Sequence, residues 1–479
     1  MKKYAAFAAF AMAALAAAAV QTPPGRIAER DVLMQFLEYR DAGSPALFRA
    51  SAARLREIAD SKIDGDAPPA AKFRRAMAMT LVATYSMDPA ARSFAPESLS
   101  IDAAARDSYF ASARETLDAF AARAKEKKPG EPSWKLYLDA LEEGVKAESA
   151  DSAAEKDRLV KSALAKLEQA ADKGDKRAKL RLAQTLLHRS ASAKSPRERL
   201  AMEKRAVKLL EDAGEFREGA DADRHGASPS ALNLLGKCLE YGIGDRDGKG
   251  KPRPRPKSAL RAYIDAASTD HPDALHNLAR FRFAGTGGSA KDPAAACRAE
   301  HAAAEAGHPD AMAEWGRLLM DGAAGTNGET LVKQDVKAGR EWIRNAAEEG
   351  SARGAYYLGS MLANETPQTP ETAAEAAKWL NAAAVAIKSP QVRYEAAKAL
   401  LAPGAADAAS ELRAVVHLSQ AAKRNHAESM ELLAECLEKG RGVTQSNDEA
   451  VFWRMKARAL RGDVAAAAWL KKRARDRGE

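Results

Sequence analysis

Large side chains are scarce in this 479-residue chain, where Phe, Trp and Tyr together make up 6%. A chain so poor in them cannot fill a thick sheet-based core. Alanine carries most of the 46% hydrophobic share; it costs no rotamer entropy and suits closely packed helices. Three cysteines, Cys238, Cys297 and Cys436, are too few for a disulfide framework at this length. Familiar catalytic signatures are missing as well. There is no Gly-x-Ser-x-Gly and no His-Glu-x-x-His, and Gly285-Thr-Gly287-Gly288 lacks the lysine and strand context of a phosphate loop. Charge of one sign is also modest. Lys+Arg is 75 against 66 Asp+Glu, a net +9 that does not imply nucleic acid. Apolar residues recur periodically throughout, which argues against widespread disorder.

Only one long apolar run is present, from Tyr4 to Val20. The basic Met1-Lys2-Lys3 precedes it, Ala17-Ala18-Ala19 offers small residues at the cleavage spacing, and Pro23 and Pro24 follow. This pattern predicts a Sec-type secretory signal peptide over 1–19, cut near Ala19 or Val20. The run is short for a membrane span, and no cysteine follows it to mark a lipoprotein. The expected location is the periplasm of a bacterium, or the medium outside it.

The remainder is repetitive. Blocks begin at Ala231, Ala274, Ala311, Gly354 and Ser429, with weaker copies at Ser133, Ala178, Arg393 and Ala466. The shortest start-to-start steps are 36 and 37 residues, the length of a two-helix repeat. The longer steps carry loop insertions at 214–230, 245–257 and 323–334. Counted from the first residue of each block, positions 1, 5, 8 and 12 share one helical face and hold Ala, Leu, Leu or Cys, and Gly. That face is expected to be buried, with the small residues at 1 and 6 admitting a neighbouring helix and Gly at 12 ending the first helix. A second helix follows, marked by Trp342-x3-Ala346, Trp379-x3-Ala383 and Trp453-x3-Ala457. A unit of this kind buries its apolar face only by stacking on neighbours.

These blocks resemble the Sel1-like repeat, a relative of the tetratricopeptide repeat. The match is good at Ser429–Gly462, where Leu433, Gly440, Gly442, Val443, Asp448, Ala450, Trp453 and Ala457 fall in place, and at Ala311–Gly350 despite an insertion. Elsewhere the first-helix tyrosine is largely replaced, and Gly359 lacks a following Gly-x-Gly. The resemblance implies an all-α, right-handed superhelical solenoid of about eight helix–turn–helix pairs over 129–479. Residues 20–128 lie outside the register, with helices expected at Asp31–Tyr39, Pro45–Asp60, Ala71–Tyr85 and Ile101–Ala124. They read either as degenerate hairpins capping the array or as a small separate helical domain.

Scattered candidates for chemistry have plainer explanations. His301, Glu305 and His308 have the i, i+4, i+7 spacing of a helical metal site, but His308 follows the helix-ending Gly307. Asp245-Arg-Asp247-Gly248 lacks the later carboxylates of a calcium loop. Cys238 and Cys436 both fall at the buried position 8, so their thiols should be structural and unpaired. No metal and no cofactor is expected. Two basic clusters remain: Lys249–Lys257, with its alternating prolines, and the chain end from Arg454 to Arg477. Solvated surface explains both, and contact with an anionic envelope surface is the functional alternative.

In the resembled family the first helix of each pair lines the concave groove. Positions 4, 7 and 11 then form the flank a ligand would meet. Position 7 is basic in three successive repeats, at Lys237, Arg280 and Arg317. With Tyr241, Asn277 and Tyr357 these make a candidate surface for an extended protein or peptide partner bearing acidic groups. The function expected is a non-catalytic periplasmic binding scaffold. The alternatives are a cell-envelope structural factor touching anionic lipid or peptidoglycan, and an enzyme whose site has no sequence signature.

Overall fold

The computed structural model describes residues 45–477 apart from 63–66, 89–90, 93–94, 128–131, 149, 217–226 and 289. The expected signal peptide and the helix expected at Asp31–Tyr39 lie outside the described residues. The rest is all-α, with 21 helices among the described residues. Contacts divide the chain into two compact units, one ending at His308 and the other running from Pro309 to Glu479.

The first unit opens with α1 (Pro45–Asp60), α2 (Pro69–Tyr85), the single turn α3 (Pro96–Leu99) and α4 (Ala103–Lys127). Helix α2 lies at the centre of this group, burying Met77, Leu81, Val82 and Tyr85. It packs on α1, α3 and α4, and also on α5 (Ser133–Glu148). The ring of Phe73 meets both Phe120 of α4 and Trp134 of α5 edge-on, at 5.2 and 5.1 Å. The segment before residue 128 therefore shares a core with the first helix pair.

That pair is α5 with α6 (Ala153–Asp172). Three more follow in this unit: α7 (Lys176–Ser190) with α8 (Pro196–Ala213), α9 (Pro229–Tyr241) with α10 (Pro256–Ala267), and α11 (Pro272–Ala284) with α12 (Pro293–Glu305). The second unit contributes α13 (Pro309–Asp321) with α14 (Val336–Glu348), and α15 (Ala352–Ala363) with α16 (Pro370–Ile387). It ends with α17 (Pro390–Leu400) and α18 (Ala408–Ala422), α19 (Ala427–Lys439) and α20 (Asn447–Leu460), and the lone α21 (Val464–Arg477). The described residues thus hold eight helix pairs, four in each unit, the number expected.

Local chemistry fixes both ends of the first helices. Three residues before position 1, the side chains of Asp175, Ser228, His271, Ser351 and His426 accept a hydrogen bond from the position-1 backbone N–H. This is an N-cap, and in two repeats an imidazole Nδ1 replaces the usual oxygen, at 3.4 and 3.2 Å. At the other end Gly242, Gly285, Gly322 and Gly440 sit at φ between 63° and 72°, a left-handed turn that favours glycine.

Between the caps, the predicted face is buried. Ala231, Leu235 and Cys238, then Ala274, Leu278 and Phe281, then Ser429, Leu433 and Cys436 all lie in the core. Position 6 shows how closely the helices approach. A Cβ on Gly236 would lie 2.5 Å from the Tyr263 ring, and one on Gly316 2.8 Å from the carbonyl oxygen of Gly339. Cys238 and Cys436 are buried with free thiols, and Cys297 is buried as well. One insertion departs from the plain loop expected. Residues 323–334 contain a two-stranded antiparallel hairpin, β1 (Ala323–Ala324) and β2 (Thr330–Val332), turned at Asn327-Gly328 with Gly328 at φ 83°. Asn-Gly is the strongest short hairpin signal, and here it organises the excess residues.

Candidate functional site

The predicted flank of the first helices is present, but its charges are not loose. In the first unit Arg280 donates from both terminal nitrogens to the two oxygens of Glu240, each at 2.8 Å. The hydroxyl of Tyr263 donates to the same carboxylate at 2.8 Å. Glu240 thus ties α9, α10 and α11 together. Its hydrogen bonds, and then its charge, raise the Arg280 guanidinium above its ordinary value. Lys237 lies 3.7 Å from Asp273, at the start of the next first helix. Tyr241 ends α9 and is 61% exposed.

The second unit repeats the theme on Glu314. Arg317 donates to it at 3.0 Å, Arg353 at 2.7 Å, and the hydroxyl of Tyr357 at 2.9 Å. Burial alone would raise the carboxyl of Glu314, yet the hydrogen bond from Arg317 and the field of Arg353 outweigh it and hold the group below its ordinary range. Burial and the Glu314 charge push Tyr357 up to about 12. Arg317 also reaches Asp321 at 3.1 Å.

Each position-7 cation therefore has its own carboxylate. Lys237 and Arg280 belong to one unit and Arg317 to the other. Their side chains remain about two-fifths exposed, at 42, 41 and 41%. A guanidinium carries five N–H donors, so one clamped by a carboxylate keeps others for a ligand. Asn277, expected beside them, is instead buried. Its amide donates to Asn233 across the interface of α9 and α11 at 3.0 Å, because residues at this point of the stack face the preceding repeat.

Around Asn277 lies a buried polar network that helical periodicity does not reveal. Ser230, Asn233, His271, Asp273, His276, Asn277, Glu300 and His308 are all buried. The ring of His276 bonds Glu300 at 2.7 Å and stacks on the ring of His308, centroids 4.7 Å apart. His308 faces Asp273 at 3.7 Å, and Ser230 lies 3.4 Å from His271. Burial would raise Asp273, but His308, Lys237 and His271 hold it well below the carboxylate range. With every member buried, the network presents no open face to a substrate, and it links α9, α11 and α12. The usable signal was polar residues one repeat length apart, which pair across the stack.

His308 is thus engaged with Asp273 and His276, while His301 pairs weakly with Glu305 at 3.5 Å. Among the described residues no three metal-binding side chains converge. None of the described helices is long and apolar enough to cross a membrane.

The family model for the Sel1 repeat matches residues 229–249, 272–298, 309–351, 352–384 and 427–453. No curated protein matches. Among solved structures, the chain is similar to a Sel1 repeat protein from Oxalobacter formigenes, with 20% identity and a TM-score of 0.41 over 73% of this chain and 89% of that one. It is also similar to c5321, a protective antigen present in uropathogenic Escherichia coli strains and displaying an SLR fold. There the identity is 16% and the TM-score 0.46, over 89% of this chain and 86% of that one. All five matched segments begin at the first residue of a first helix, α9, α11, α13, α15 or α19, and on that register the chain carries five Sel1 repeats.

Proposed function

We propose that this chain is a non-catalytic scaffold, exported to the periplasm, that binds a protein or peptide partner on the first-helix face of its pairs. The observation that carries the reading is Tyr241, a largely exposed aromatic near Lys237 and near Arg280, whose guanidinium is clamped by Glu240 of the preceding repeat. Aromatic and arginine side chains dominate binding hot spots, and immobilised ones lose less entropy on binding. The leader-like residues 1–19 support export.

The charge pairs dictate how this is tested. Reversing Lys237, Arg280 and Arg317 would set like charges against Asp273, Glu240 and Glu314, so stability would fall along with binding. A photo-crosslinking side chain at position 241 avoids that problem. It should capture a discrete partner in the periplasm, and the same group at Val160, exposed on α6, should not. Indistinguishable products from the two positions would refute the groove assignment.

A further inference from the structure

The sequence offers two basic clusters, and the structure treats them differently. At the chain end four arginines are consumed locally. Arg454 is paired with Glu438, Arg458 with Asp463, Arg461 with Glu431, and Arg473 with Asp448. Arg473 also lies over the rings of Phe452 and Trp469. In the loop between α9 and α10 two cations, Arg246 and Arg255, are held by carboxylates, and four others project into solvent.

That loop is built, not slack. Asp247 accepts from the backbone N–H groups of Lys249 and Lys251 at 2.8 and 2.9 Å, and its own N–H donates to the Lys251 carbonyl at 2.9 Å. Arg246 is pinned by the buried Glu203 of α8 at 2.6 Å and by the Gly242 carbonyl at 2.8 Å. Arg255 pairs with Asp245, and its N–H donates to Leu239 at 2.8 Å. The backbone of Arg253 lies so close to Gly242 that a Cβ there would approach within 2.5 Å. Lys249, Lys251, Arg253 and Lys257 are exposed, and among the described residues none has a carboxylate within ion-pair reach.

We propose that this loop is an electrostatic docking surface for a bilayer of anionic phospholipids. Pro252, Pro254 and Pro256 remove N–H donors along this segment, so a partner strand cannot pair with it. Apart from proline, no apolar side chain lies between Ile243 and Ala259. The loop itself therefore has no wedge to insert and no aromatic on which nucleic-acid bases could stack; the exposed Tyr241 stands alone before it, at the end of α9. What it offers is fixed positive charge alone. A fluid plane of phosphates rearranges to meet such charge, whereas a folded partner would need matched geometry. The inference is independent of the first-helix face and of its partner.

Co-sedimentation of the full chain with vesicles tests it, using phosphatidylglycerol–phosphatidylcholine mixtures and phosphatidylcholine alone. Binding should require the anionic lipid and weaken as added salt shortens the screening length from ~10 Å at 0.1 M to ~3 Å at 1 M. Each cation removed should cost about fivefold. Combining Lys249→Gln, Lys251→Gln, Arg253→Gln and Lys257→Gln should then lower partitioning by roughly two orders of magnitude or more. A control variant with Lys471→Gln, Lys472→Gln and Arg475→Gln should lose far less. The proposal is overturned if the loop variant sediments like the wild type, if the chain-end variant is the one that releases, or if wild type binds neutral vesicles equally, as an apolar leader would. It is equally overturned if the loop captures polyglutamate but no vesicles.

Discussion

Removing the carboxylate of Glu240 tests the proposition that polar staples between neighbouring pairs hold this stack in register. The Tyr263 hydroxyl is buried and donates to that carboxylate. In Glu240→Ala the hydroxyl is orphaned, at about 1–3 kcal/mol. The Arg280 pair is also lost. Because that guanidinium is two-fifths exposed, solvent screening limits its share to about 0.2–1 kcal/mol. The expected total is about 1–4 kcal/mol, confined to α9–α11. Glu240→Gln keeps an acceptor for the tyrosine and should cost under about 1 kcal/mol. The decisive variant is Tyr263→Phe. Alone it removes a satisfied bond, at about 1 kcal/mol; in the Glu240→Ala background it removes the orphan and should cost nothing or restore stability. Long repeat arrays do not unfold as one step, so the readout is native-state hydrogen exchange across residues 229–284. If Tyr263→Phe costs as much in the Glu240→Ala background as in the wild type, the staple is not what holds the hydroxyl, and the reasoning fails.

Other expectations follow from the same contacts. Leu433→Ala, at a buried site, should cost about 2–5 kcal/mol and expose amides near α19 while α1–α6 keep their protection; uniform loss would contradict stacking. Burial and the Glu203 charge push the Cys238 thiol up to about 12, so native protein at pH 8 should leave it unalkylated in mass spectra while denatured protein reacts in full. Asp273 is held below its unfolded value. Its contribution to stability is therefore present above about pH 4 and disappears as pH falls through the lower folded value. Asp273→Asn should flatten that acid limb in melts followed by circular dichroism, and an unchanged limb would mean the carboxylate is not the group responsible.

The repeat register was legible because it is written in single helices. Ala231, Leu235, Cys238 and Gly242 lie within twelve residues, and a 3.6-residue period brings them to one face. The charge partners were not legible, because stacking sets them. Arg280 reads as a ligand-facing cation until Glu240, 40 residues earlier, is seen to clamp it. Asn277 reads as surface until Asn233, 44 residues away, takes its amide. Tyr357 and Glu314 are 43 apart. Helical periodicity carries no information on such pairs, since they depend on how one hairpin is set against the next. The N-caps fall between these cases: His271 and His426 each stand three residues before position 1, but only the geometry shows an imidazole nitrogen in the role of a serine oxygen.

Those separations have a consequence for how the chain is made. Staples about one repeat apart close only short loops, so each newly synthesised hairpin finds its partners in the hairpin just before it and need not wait for distant sequence. Such a ladder has no preferred length. Duplicating or deleting a whole unit leaves every surviving staple one unit from its partner, whereas losing half a unit would orphan buried polar groups on both sides of the cut. The polar stitching that fixes the register of each pair therefore also sets the step by which a protein of this kind can grow or shrink.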